Sequence, residues 1–169
     1  MPTTGMCEAR TAFSILAAAL STANVEILPL LHLGCYIHIG RESVAKQALD
    51  NNCTHLLFVD SDMWFGPDVI NKLLAHDVDI VGARYNKKVD GQISTVPGEF
   101  SGLTAVPFVP TGLMMIKTDV FKKIGRPYFS FDDGAESEDV YFCNKAQKNG
   151  YETFVDPSIQ VAHLGTAAF

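Results

Sequence analysis

Four apolar residues, Leu56, Leu57, Phe58 and Val59, run without interruption into Asp60, Ser61 and Asp62. An unbroken apolar run of strand length fits a strand covered on both faces, as in a parallel sheet, whereas a half-solvated strand would alternate. Open α/β sheets bind their ligands beyond the carboxyl ends of the strands. The run therefore delivers two carboxylates to the edge where a sheet of this class does its chemistry. Acids two positions apart share one face of a regular strand, so both can turn toward one ion.

The flanking sequence alternates helices with strands. Residues 8–20 read as a helix and 25–33 as a strand, although Pro29 demotes that run toward an edge position. Residues 41–51 read as a helix and 54–59 as the strand just described. Gly66 and Pro67 open the next helix, with Asp68 in its first turn and Val69, Ile70, Leu73 and Leu74 at helical spacing. Residues 78–83 form a strand, after which 86–110 dissolve into Gly, Pro, Ser and Thr, as expected for a loop or irregular hairpin across the ligand edge. A strand returns over 112–116, and Thr118 with Asp119 begins a short helix that Gly125 and Pro127 end. Ser137 is placed to cap a helix over 138–149, closed by Gly150, before final strands at 152–155 and 159–162. The alternation predicts one α/β domain over residues 1–169, with a mixed sheet, parallel at its centre, flanked by helices.

A chain of 169 residues with 47% hydrophobic content can bury a sizeable core. Thirteen basic against 19 acidic residues give a net charge of −6 with no long Lys/Arg run, which argues against nucleic acid as the partner and means that an anionic ligand needs a cation to mediate. Cys7, Cys35, Cys53 and Cys143 are scattered without a C-x-x-C pair, so free thiols are expected rather than a zinc ribbon or disulfide framework. The apolar stretch 12–20 is too short to span a bilayer, and Glu8 offsets Arg10 where a signal peptide would have a basic start. The expectation is a cytoplasmic protein with no transmembrane segment.

Further segments stand in order around the central run. They are T-H-L-L-F-V-D-S-D-M-W-F-G-P-D at 54–68, D-I-V-G-A-R-Y at 79–85, P-T-G-L-M-M-I at 110–116, S-E-D-V-Y-F at 137–142 and V-A-H-L-G at 161–165. In this order and spacing the chain resembles the glycosyltransferases of the GT-A fold, particularly the family 2-like enzymes of bacteria and phages. The resemblance implies a nucleotide-diphospho-sugar transferase fold with a mostly parallel mixed sheet. It also implies a hexosyltransferase-like activity: metal-dependent transfer of a sugar from a nucleotide-sugar, a UDP-sugar by family analogy, to an acceptor hydroxyl with inversion. The partners implied are that donor and a glycan, lipid or protein acceptor.

By the same resemblance Asp60 and Asp62 form the metal-binding Asp-x-Asp, with Asp62 the direct ligand to Mn²⁺ or Mg²⁺ and His163 the third protein ligand. Glu138 and Asp139 match the acidic pair that supplies the general base; Asp139 is preferred, but either can serve, since acids in a first helical turn are also favoured by the helix dipole. Thr111 and Gly112 resemble the glycine-containing loop beside donor and acceptor, a tight turn being the other reading of that glycine. Arg41 is a candidate for the nucleotide or its phosphates, Thr3 and Thr4 border the nucleotide, and Asp132 and Asp133 are weaker acceptor-site candidates. Trp64 and Phe65 either stack on a sugar ring or cover the core. His32, His38, His55 and His76 receive no role.

Relatives of this type carry a complete first strand ahead of the segment matching residues 1–5, and the expectation is a fold without that strand. Acceptor recognition is expected to be minimal or supplied by a partner, because the sequence stops soon after His163. Two other readings accommodate the same acids. A haloacid-dehalogenase-like phosphohydrolase would use the first Asp as nucleophile, although Met63, Trp64 and Phe65 stand where that family has a Gly/Thr-containing turn. A non-catalytic nucleotide-sugar or glycan-binding domain would keep the site without the chemistry.

Overall fold

A computed structural model describes residues 1–3, 5–86, 94–131 and 137–165, with the side chain of Thr3 left aside. In chain order the elements are β1 (Pro2–Thr3), α1 (Ala9–Ser21), β2 (His32–Leu33), α2 (Ile37–Asp50), β3 (His55–Val59), β4 (Met63–Phe65), α3 (Val69–Ala75), β5 (Ile80–Gly82), β6 (Thr104–Val106), β7 (Leu113–Lys117), α4 (Thr118–Ile124), α5 (Glu138–Lys148), β8 (Thr153–Val155) and β9 (Val161–His163).

The central sheet has the order β3-β7-β5-β8-β6. Strands β3, β5 and β8 run in one direction, β7 enters between β3 and β5 against both, and β6 lies against β8. Among the described residues, parallel pairing within this sheet is confined to β5 with β8, and the sheet is mixed but mostly antiparallel rather than mostly parallel. The apolar run of β3 does not encode the direction of its neighbour; it reflects cover on both faces. Leu56 and Phe58 join a core with Val44, Ala45 and Ala48 of α2, Phe121 of α4 and Phe142 of α5. Val59, with Leu57 packed alongside, joins a second core with Ala18 of α1 and Val69 and Leu73 of α3. Each large side chain so buried contributes about 1.5–3 kcal/mol.

Three departures from the sequence reading position the site. In the expected strand 25–33 only His32 and Leu33 pair, in parallel with β1, because Pro29 offers no N–H to a ladder. Helix α2 begins at Ile37, so Arg41 lies a turn inside the helix and is buried rather than standing at an exposed start. Residues 63–65 form a strand, β4, that pairs antiparallel with β9 in the register Met63–His163, Trp64–Ala162 and Phe65–Val161. This register makes His163 the last residue of a strand.

The stretch expected to be a loop or irregular hairpin contains an antiparallel bridge between Asn86 and Ser94 and then a strand, β6, that the sequence reading did not mark and that joins the edge of the central sheet. Helices α4 and α5 run out into Gly125 (φ +66°) and Gly150 (φ +87°), left-handed positions that suit glycine. The four cysteines carry no disulfide. Among the described residues no helix is long and apolar enough to cross a membrane.

Candidate functional site

Backbone pairing gathers the predicted residues at one edge of the sheet. The match of Val59 with Leu113 places Asp60 beside Gly112, and the Asp60 N–H donates to the Gly112 carbonyl (3.1 Å). The Ala83 N–H donates to Leu113 O (3.1 Å) and the Asp156 N–H to Gly82 O (3.0 Å), so the carboxyl ends of β5 and β8 arrive at the same edge. The β4–β9 pair adds the last component. The Leu164 N–H donates to Asp62 O (2.7 Å), and His163 Nε2 comes within 3.4 Å of Asp62 Oδ1.

Arg41 reaches this edge from beneath. It is only 2% exposed, its Nη2 lies 3.0 Å from Asp60 Oδ1, and its Nη1 pairs with the carboxylate of Glu138. One guanidinium thus joins α2, the end of β3 and the first turn of α5. Its Nε has no hydrogen-bond partner among the described residues. Arg41 therefore does not present a free guanidinium to a nucleotide, and Asp60 is drawn to Arg41 instead of completing a three-donor set with Asp62 and His163. Among the described residues no three His, Cys, Asp or Glu side chains converge as a metal cage. What remains is a carboxylate oxygen and an imidazole nitrogen side by side. That pair fits Mn²⁺ or Mg²⁺, hard cations that keep most positions for phosphate oxygens and water. The Nδ1 of His163 is buried and unpartnered among the described residues, as is the hydroxyl of Thr111 next to Gly112.

Tyr85 is the site residue that sequence reasoning missed. Its hydroxyl accepts the Gly112 N–H (3.1 Å), and its ring meets that of His163 edge to face at 5.4 Å between centroids. Thr95 fixes its backbone, the Thr95 N–H donating to Tyr85 O (2.8 Å) and the Tyr85 N–H to Thr95 Oγ1 (3.2 Å). Burial, and then the negative charges of Asp60 and Asp139, push the phenol well above its ordinary value, so it stays protonated. A Cβ on Gly112 would stand 2.2 Å from this hydroxyl. The missing side chain at Gly112, matched in sequence to the loop beside donor and acceptor, thus admits Tyr85. The available signal was position: Tyr85 ends the D-I-V-G-A-R-Y run, at the edge to which β3 delivers Asp60.

Asp139 is oriented locally. Its Oδ1 accepts the Val140 N–H (2.9 Å) and the hydroxyl of Ser137, the N-cap residue of α5. Glu138 is buried against Arg41, so the two acids divide between different partners. Thr3 belongs to β1 by its backbone, while Thr4, Asp132 and Asp133 lie outside the described residues. Phe65 is buried in the core and Trp64 faces outward.

No family model matches the chain, and no curated protein matches it in sequence. Solved structures match it in fold. The fold is similar to that in the crystal structure of A197 from STIV, with a TM-score of 0.74 and 22% identity over 97% of this chain and 83% of that one. It is also similar to that in the crystal structure of GalNAc-T7 with UDP, GalNAc and Mn²⁺, with a TM-score of 0.53 and 13% identity over 80% of this chain. This chain covers 32% of the GalNAc-T7 chain, so the likeness is to one part of a larger protein. At such identities the likeness is one of fold.

Proposed function

We propose that this chain is a metal-dependent glycosyltransferase of GT-A type that transfers a sugar from a nucleotide-sugar, a UDP-sugar in the first instance, to an acceptor hydroxyl with inversion. The observation that carries the reading is the approach of His163 Nε2 to Asp62 Oδ1, 3.4 Å apart, at the sheet edge that also receives the acidic first turn of α5. The fold shared with GalNAc-T7, whose structure contains UDP, GalNAc and Mn²⁺, supports it.

In this reading Asp62 and His163 hold Mn²⁺ or Mg²⁺. Bound there, the cation supplies neutralisation of the charge that develops on a departing diphosphate. Asp139, fixed by Ser137 and the Val140 N–H, takes the proton of the acceptor hydroxyl. Arg41 holds Glu138 in an ion pair, which favours Asp139 over Glu138 as the base. The neutral Tyr85 phenol, wedged between Gly112 and His163, sets the imidazole orientation and excludes water behind it.

The test is calorimetric titration of UDP into the intact chain with and without Mn²⁺, repeated on Asp62→Ala. Manganese-dependent binding that disappears in the variant is the expected result. UDP binding of equal strength without the cation, or unchanged in Asp62→Ala, removes this assignment of the site.

A further inference from the structure

A concave site lies on the face of the β4–β9 pair opposite His163. Trp64 projects from β4 between Met63 and Phe65, both buried, and is itself 44% exposed. Its cross-strand partner is Ala162, too small to cover an indole. Beside the ring is a hollow of about 270 Å³ formed with the start of α3 and the segment after β8. Buried Val69 gives it an apolar lining, and Asp68, Lys72, Ser158 and Gln160 give it polar groups.

The chemistry of this lining selects a ligand class. Lys72 Nζ lies 2.8 Å from Asp68 Oδ2, so the two charges cancel and no free ammonium is offered to a phosphate. The carboxylate accepts hydrogen bonds, the amide of Gln160 both donates and accepts, and the serine hydroxyl does either. An indole face meets C–H surface. A molecule with one apolar face, a ring of hydroxyls and no charge satisfies all of these at once. The volume is below the roughly 300–1,000 Å³ of drug-sized pockets and suits a single ring.

We propose that this hollow is a saccharide subsite that stacks a neutral sugar ring on Trp64 and bonds its hydroxyls to Asp68 and Gln160. It is separate from the Asp62–His163 edge. His163 pairs with Met63, so its side chain and that of Trp64 leave opposite faces of the two strands. The proposal goes beyond the transferase reading, because occupancy here needs neither cation nor nucleotide.

Trp64 is the chain's single tryptophan, so its emission reports on this hollow without labelling. The experiment titrates metal-free intact protein with neutral trisaccharides, namely maltotriose, mannotriose, galactotriose and chitotriose. The expected result is a saturable change in emission with at least one of them. Its midpoint should rise about tenfold in Asp68→Ala and Gln160→Ala, each of which loses a hydrogen bond to the ligand but keeps the fluorophore. Asp62→Ala should bind as the parent does, which separates failure here from failure of the transferase reading. A response that never saturates with any of the four sugars overturns the subsite, and so does a saturable one indifferent to both substitutions in variants whose circular dichroism matches the parent.

Discussion

At Gly112 the absence of a Cβ decides the packing of the site. Its φ is not left-handed, so alanine is conformationally acceptable there, but the new Cβ would meet the Tyr85 hydroxyl at 2.2 Å and the ring carbon behind it at 2.7 Å. Gly112→Ala should therefore lower stability by about 1–3 kcal/mol through overpacking. Adding Tyr85→Phe should restore part of that loss, a coupling that a double-mutant cycle in urea measures. Simple additivity of the two substitutions would show that they do not touch. Arg41 is the second residue whose surroundings set its effect. Arg41→Met strands the Asp60 and Glu138 carboxylates, and breaking a buried pair in this way costs about 3–5 kcal/mol. Arg41→Lys keeps the charge but not the fork that spans two acids, so it should recover only a fraction of the parent's unfolding free energy. Lys restoring full stability would show that one carboxylate, not two, is the true partner.

The elements themselves were legible where their signals are local. The apolar run of β3, the spacing of Val69, Leu73 and their neighbours in α3, and the glycines after α4 and α5 each act within a few residues, and the helices and strands formed close to where they were read. Pairing direction was not legible, since β7 enters between β3 and β5 through contacts between residues more than thirty positions apart. The site shows the same division. Asp62 and His163 were nameable from their motifs, whereas the capture of Asp60 by Arg41 and the insertion of Tyr85 against Gly112 depend on the packing of α2 and the exit of β5. The junction of α3 and β8 was equally hidden. Buried Asp156 there lies 2.8 Å from His76 Nε2 and accepts the Ser158 N–H at 2.8 Å. Burial raises its carboxyl, but the hydrogen bonds from His76 and Ser158 outweigh this and leave it below the ordinary value. A carboxylate depressed on folding adds stability that is fully present above its unfolded pKa of about 3.9 and is lost as the pH falls through the folded one. Asp156→Asn should accordingly be less stable at pH 7 and show a shallower acid limb below about pH 5 in urea midpoints. An acid limb parallel to the parent's would mean that the hydrogen bonds at this junction do not survive in solution.

For the molecule as a whole, the proposed ligands should act on folding as well as on chemistry. The Asp62–His163 pair exists only when β4 and β9 are joined, and those strands are far apart in the sequence, Met63 pairing with His163. A ligand held there binds the folded chain and not the unfolded one, and at one hundred times its dissociation constant adds about 2.7 kcal/mol. For a chain of 169 residues that corresponds to a rise in Tm of about 5–10 °C. The net charge of −6 makes UDP alone a poor stabiliser, because the Arg41 guanidinium at this edge is committed to Asp60 and Glu138. Thermal unfolding should consequently show little effect of UDP, a small effect of Mn²⁺ and the full shift only with both. In His163→Ala the joint shift should vanish although the variant folds, since the ring contributes one edge contact with Tyr85 and little else to the core. Equal shifts from UDP with and without Mn²⁺ would place nucleotide binding elsewhere on the surface, and a joint shift surviving in His163→Ala would remove the imidazole from the metal site while leaving Asp62 in place.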